Sequence, residues 1–410
     1  MKKYVSLVLF SLLSWAVCAK DFPKVILAGD YPDPTILRDG KDYYMTHSPF
    51  YYAPGFLIWH SQDLEHWEPV CRAMAQWEGS AMAPDLVKYN NRYYIYYPAA
   101  GTNWVIWADN IRGPWSAPKD LKVNGIDPGH VADADGKRYL YLSEGKVVQL
   151  SDDGLSTVGE VRKVYDGWPY PRNWRTEGMY LESPKLNYHN GYYYLTSAEG
   201  GTAGPGTSHM VVTARSKSVL GPWENSPFNP LVHTYSERES WWSKGHGTLI
   251  DDVNGNWWVV YHAYAQGYHT LGRQTLIDPV EWTADGWVKL RHDARPLPAQ
   301  DPEKHGLELS NDFTGKQLGL QWTFWKEYAP ESLSFGKDGM SVKAKGKTPA
   351  DGRLLMVTAT DKNYELTTEI ALGKGNTGGL LLFYDEKAYA GVASDGKTFT
   401  IYRNGEKAET

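Results

Sequence analysis

Cysteine is nearly missing from this 410-residue chain, which has two, Cys18 and Cys71. Cys18 lies in "MKKYVSLVLFSLLSWAVCAKDF", where two lysines, an apolar run and small residues near Ala19 read as a secretory signal peptide over residues 1–19. Its removal leaves Cys71 with no intramolecular partner. That excludes a disulfide-stapled scaffold and makes Cys71 a small buried hydrophobe. No other stretch reaches the roughly 18 apolar residues that a membrane span needs. An exported protein, periplasmic or extracellular, is therefore expected. Neither sign of charge dominates either. With 42 basic against 48 acidic residues, a net charge of -6 and no long runs, nucleic acid and anionic membrane are excluded as partners. Long helical periodicity is also absent, which argues against a parallel α/β barrel.

Aromatic residues, by contrast, abound: 18 Trp and 29 Tyr. Such rings suit the C–H faces of sugars, and they suit strand packing equally well. Five segments repeat a turn followed by an aromatic strand: "DGKDYYMTH", "NNRYYIYYP", "DGKRYLYLS", "HNGYYYLTS" and "NGNWWVVYH". Three are followed by "DLEHWEPV", "IRGPWSAP" and "VLGPWENS", each with a Trp at the start of an outer strand. The turn residues Gly40, Asn91, Gly136, Gly191 and Gly255 recur at the spacing of four-stranded propeller blades. An all-β, five-bladed β-propeller over residues 24–300 is expected, with a generic β-sandwich array as the alternative.

The innermost strand of each propeller blade runs along the central axis, so the repeats can be aligned by phase. Counting back nine positions from each turn residue gives Met82, Asp127, Glu182 and His246 in blades two to five. Blade one gives Tyr31, with Asp33 two residues later and on the same face of the strand. Asp33 is clamped between prolines in "YPDPT", which alone reads as a turn. Three carboxylates converging on one cleft repel and raise one another's pKa. Glycosidic hydrolysis needs such a set, because one protonated carboxyl serves the leaving oxygen while an ionised one activates water or attacks the sugar. A channel-plugging cation held by the same oxygens is the structural alternative.

The segments "YPDPTILRDGKDYYMTHSPFYYAPGFLIWHSQDLEHW", "IDPGHVADADGKRYLY", "ESPKLNYHNGYYYLTSAEGGT", "VTARSKSVLGPWENSPFNPL", "GHGTLIDDVNGNWWVVYH" and "LGRQTLIDPVEWTADGW" resemble the blade motifs of glycoside hydrolase family 43, in its β-xylosidase and α-L-arabinofuranosidase-like branch, and follow the family's order. The resemblance implies an inverting glycosidase that removes terminal xylose or arabinose from plant cell-wall polysaccharides or their oligosaccharides. In that reading Asp33 is the general base, Glu182 the general acid, and Asp127 the carboxylate that tunes and positions the acid. Glu177, in "RTEGMYLESPKL", competes for the acid role, but Glu182 has Pro184 at the family's spacing. Arg273 matches a family arginine near the sugar hydroxyls and the pKa-tuning Asp. Phe50 matches a substrate-facing aromatic in a loop that carries one extra residue. His246 matches a histidine near a central calcium or water cluster, so the resemblance offers it as a metal ligand, with a neutral structural histidine as the alternative.

No cofactor is required on this reading, although a structural calcium is allowed. Two departures stand out. Met82 replaces a stacking Trp, for which Trp77 could compensate, and Ser183 replaces the Gly that usually follows the acid. Residues 307–410 alternate apolar and polar positions between Gly and Asp turns, resembling the family's concanavalin-like C-terminal β-sandwich, here expected to be incomplete. The alternatives in function are a non-catalytic carbohydrate-binding propeller and a hydrolase of another glycan such as a galactan.

Overall fold

Each of the five turn residues has positive φ, from 62° at Asn91 to 83° at Gly191, as a tight hairpin requires. These hairpins join the first two strands of five antiparallel sheets in a computed structural model that describes residues 23–76, 78–292 and 306–407. The signal-peptide reading, Trp77 and the junction between the 24–300 and 307–410 regions fall outside the described residues. Among the described residues no helix is long and apolar enough to cross a membrane.

The blades begin with Thr35–Asp39, Asp85–Tyr89, Gly129–Ala132, Leu181–His189 and Trp241–Asp251. Each of these inner strands contacts the next, and the fifth contacts the first, so the ring closes. The first strand among the described residues, Lys24–Leu27, pairs with Arg273–Trp282 and completes the fifth blade from outside, joining the two ends of the propeller. Inner strands approach closely enough that a Cβ on Gly129 would lie 1.8 Å from the Pro184 carbonyl oxygen, so blade three tolerates no side chain there.

Most of the aromatic load is packing. Five apolar clusters fill the spaces between neighbouring blades: Trp59 and Met45 meet Val260 and Ile277, for example, and Tyr94 and Tyr96 meet Leu140. Burying such a side chain contributes roughly 1.5–3 kcal/mol. Trp67, Trp115 and Trp223 stand just before the outer strands, as the repeated motifs led us to expect, and Trp67 is fully buried. Cys71 is half-buried between blades one and two, near the Ile111 carbonyl.

The C-terminal region contributes a four-stranded meander, Gly378–Asp385 through Glu406–Lys407, and a small sheet that recruits Tyr52–Ala53 from the propeller. Trp325 of that sheet packs against Tyr51 and Tyr52. This anchors the module on the loop that also presents Phe50.

Candidate active site

Just before or within each inner strand, a residue is held in the left-handed region: Asp33, Ala83, Asp127, Ser183 and His246, with φ of 56°, 39°, 56°, 57° and 59°, and the fifth strand adds Ser243 at 50°. Of the first five, four precede a proline and His246 a glycine. This is the true blade register, and it corrects the count from the turns. Asp127 and His246 hold their places, Asp33 itself replaces Tyr31, and Met82 and Glu182 stand one residue before the register position. Counting fails because the hairpin loops differ in length: two residues in blades one, two and four, against five in blades three and five, where the count holds.

Ser183 explains why a glycine suits this place: its Oγ is buried without a hydrogen-bond partner, and its backbone is strained for an L-residue. Only its N–H is used, donating to Asp127 Oδ2 at 3.0 Å. Ser183→Gly is therefore expected to raise unfolding stability by about 1 kcal/mol, read as a higher urea midpoint at unchanged slope. A lower midpoint would show that the hydroxyl has a stabilising role.

The three carboxyl groups do converge, in contrasting environments. Asp33 is buried, with Oδ1 accepting from Arg273 at 2.7 Å and Oδ2 from Ser48 Oγ at 2.5 Å. Burial pushes its carboxyl up, but the Arg273 guanidinium and then His246 outweigh that and hold it well below the usual carboxylate range. Asp127 is equally buried and is pushed well above that range, first by burial and then by the charges of Glu182 and Asp33. Glu182 is the most open of the three, its side chain 18 % exposed, and its Oε1 lies 3.2 Å from His209 Nε2. One ionised carboxylate thus faces a pair that retains a proton.

Arg273 was expected beside the Asp127 position, and the structure pairs it with Asp33 instead. It begins the third strand of blade five, where the ring closes onto blade one, and its guanidinium also faces the Phe50 ring at 5.6 Å. Phe50 is fixed by paired backbone hydrogen bonds with Ala81. Glu177, the rival acid, is a loop tie: its Oε2 accepts the Ala203 N–H at 2.7 Å and its own N–H donates to Ser208 Oγ.

His246 lies 3.4 Å from Asp33 Oδ1 and, with His262, forms a cluster whose ligand atoms fall within 4.8 Å of one another. The cluster does not fit the calcium that the resemblance offered. Calcium takes six or more oxygens, whereas two of these three atoms are ring nitrogens. Two are also already engaged, Oδ1 by Arg273 and His262 Nδ1 by the Asp33 N–H at 3.0 Å. Deeper in the channel the Lys185 ammonium donates to Pro84 O, Asp85 Oδ1 and Pro128 O at 2.9–3.1 Å, placing a fixed cation between inner strands.

Sequence reasoning missed Ser48, Lys185, His209 and His262. Only the last stands in a repeated motif, at the end of "NGNWWVVYH".

The sequence profile of glycosyl hydrolases family 43 matches residues 22–288. The non-reducing end α-L-arabinofuranosidase BoGH43B of Bacteroides ovatus is 32% identical over 380 residues, which cover 84% of this chain and 70% of that protein. A xylosidase/arabinosidase of Butyrivibrio fibrisolvens is 32% identical over 299 residues, covering 64% of this chain and 55% of that one, so the chain spans about half of the second relative's length. Among solved structures, the GH43 protein BlXynB of Bacillus licheniformis superposes with a TM-score of 0.79 at 28% identity, covering 94% of this chain and 83% of that one. The xylan β-1,4-xylosidase of Bacillus halodurans C-125 gives 0.77 at 27% identity, covering 95% and 83%.

Proposed function

Because this chain belongs to glycosyl hydrolases family 43, we propose that it removes terminal xylose or arabinose residues from plant cell-wall polysaccharide or its oligosaccharides, with inversion at the anomeric carbon. The supporting observation is the split among the carboxyl groups: Asp33 is held ionised by Arg273, while the Asp127–Glu182 pair keeps a proton. The sugar named follows the xylosidases and arabinofuranosidases this chain is similar to.

In this mechanism Asp33 accepts a proton from water as the water oxygen attacks the anomeric carbon. Ser48 and Arg273 fix both carboxylate oxygens, so the base need not reorganise. Glu182 gives its proton to the leaving oxygen as the glycosidic bond breaks. Asp127 neither attacks nor donates. It and Glu182 hold one proton between them; the mechanism carries that proton on Glu182, and the charge this leaves on Asp127 opposes ionisation of Glu182 until the leaving oxygen takes the proton. Arg273 and Phe50 line the sugar's position with a donor fork and an aromatic edge. The lysine-led apolar segment at the N-terminus supports action outside the cytoplasm.

The test is release of 4-nitrophenol from the β-D-xylopyranoside and the α-L-arabinofuranoside, followed by arabinoxylan oligosaccharides. Proton NMR of the first-formed sugar should show the anomer opposite to the substrate's. No release from any of these would defeat the proposal, and a retained anomer would defeat inversion. Since Arg273 and Lys185 supply fixed cations around the mouth and axis, a chelator is expected to leave both rate and melting temperature unchanged.

A further inference from the structure

Two buried histidines join the carboxyl groups proposed as base and acid. The Asp33 backbone N–H donates to His262 Nδ1 at 3.0 Å, His262 Nε2 lies 3.3 Å from His209 Nδ1, and His209 Nε2 lies 3.2 Å from Glu182 Oε1. Both rings are fully buried. His262 is held neutral, lowered to about 3, first by burial and then by the charge of Arg273, so at working pH it carries one ring proton.

Where that proton lies follows from the peptide. Asp33 Oδ1 also lies 3.2 Å from Nδ1, but that oxygen already accepts from Arg273, whereas the backbone N–H can only donate; a bare, accepting Nδ1 satisfies the peptide and puts the His262 proton on Nε2. That N–H faces His209 Nδ1, with Thr202 Oγ1 a more distant partner at 3.4 Å. His209 Nδ1 accordingly accepts, and its own proton is on Nε2. Among the described residues this buried Nε2 makes no other contact with an acceptor, and its approach to Glu182 is not yet aligned as a hydrogen bond. Such alignment is commonly completed when substrate binds. The ring cannot swing away, because it packs flat on Gly245, where a Cβ would lie 2.1 Å from Nδ1.

We propose that His209 is a positioning residue for the catalytic acid, donating its Nε2–H to Glu182 Oε1 in a tautomer dictated from the Asp33 peptide through His262. With Oε1 occupied by a donor, the transferable proton of Glu182 is carried on Oε2, the oxygen left to face the leaving group. The head of the chain is a peptide N–H, which does not titrate and so fixes the direction of the first donor. The inference rests on the reading of Glu182 as the acid.

Two measurements test it. In the wild-type protein, 15N NMR of the histidine side chains should report the Nε2–H tautomer for both His209 and His262. An Nδ1–H tautomer at His209 overturns the proposal. In the His209→Phe variant, kcat/KM should fall about 10- to 100-fold on xylobiose, whose leaving group needs the acid, and less than about threefold on a 2,4-dinitrophenyl glycoside, which does not. His209→Gln, which keeps an amide donor near the former Nε2, should recover most of the loss. A structural role would lower both substrates together, and equal losses or no loss overturn the proposal. If His209→Phe does not fold, the tautomer measurement decides. Should Glu182→Gln keep full activity, it is the acid assignment that fails, whatever His209 does.

Discussion

The Asp33→Asn enzyme is expected to retain about a thousandth or less of the wild-type kcat on every cleavable glycoside, with KM changed by no more than a few fold. The amide is nearly the same size, and its oxygen can still accept from Arg273, so the channel mouth should keep its shape. What it cannot do is take a proton from water. The loss should be insensitive to the leaving group, because attack by water is needed whichever bond breaks. Circular dichroism and melting curves matching the wild type would confine the change to chemistry. Retention of a tenth of the activity would remove Asp33 from the base role.

Glu182→Gln is expected to show the complementary pattern, a fall of about 10³-fold on xylobiose and a far smaller one on 2,4-dinitrophenyl glycosides. The contrast arises because a dinitrophenolate departs without a proton, whereas a sugar alkoxide does not. The alkaline limb of the pH profile on xylobiose should also vanish. In the wild type that limb reports loss of the acid's proton, beside an Asp127 carboxyl that burial and the charges of Glu182 and Asp33 hold well above its ordinary range. A Glu182→Gln variant that lost equally on both leaving groups would point to a damaged pocket instead.

The propeller was legible because its signals are local: each hairpin turn carries its own Gly or Asn, and each aromatic strand follows at once. Asp33, Asp127 and Glu182 were legible through motif order, although the route by phase was only partly sound. It placed Glu182 at a register position that Ser183 occupies and put Tyr31 where Asp33 stands, because the hairpin loops are two residues long in some blades and five in others. His209 and Lys185 left no such trace. One histidine in "TSHMVV" and one lysine in "SPKL" look like many others, and their roles depend on neighbours about 50 and 100 residues away in the chain. Arg273 was found, but its partner was not, since pairing with Asp33 is decided by ring closure and not by any nearby residue.

The seam of the ring gives that pairing a wider meaning. The strand Lys24–Leu27 zips onto the strand that Arg273 begins, and there Asp33 meets an arginine 240 residues distant and His262 at a separation of 229. In a ring not yet shut, Asp33 lacks the arginine that keeps it ionised, and Glu182 lacks the far end of its histidine tether. Catalytic competence is thus withheld until the first and last parts of the propeller have found each other, so that hydrolysis itself reports completed assembly.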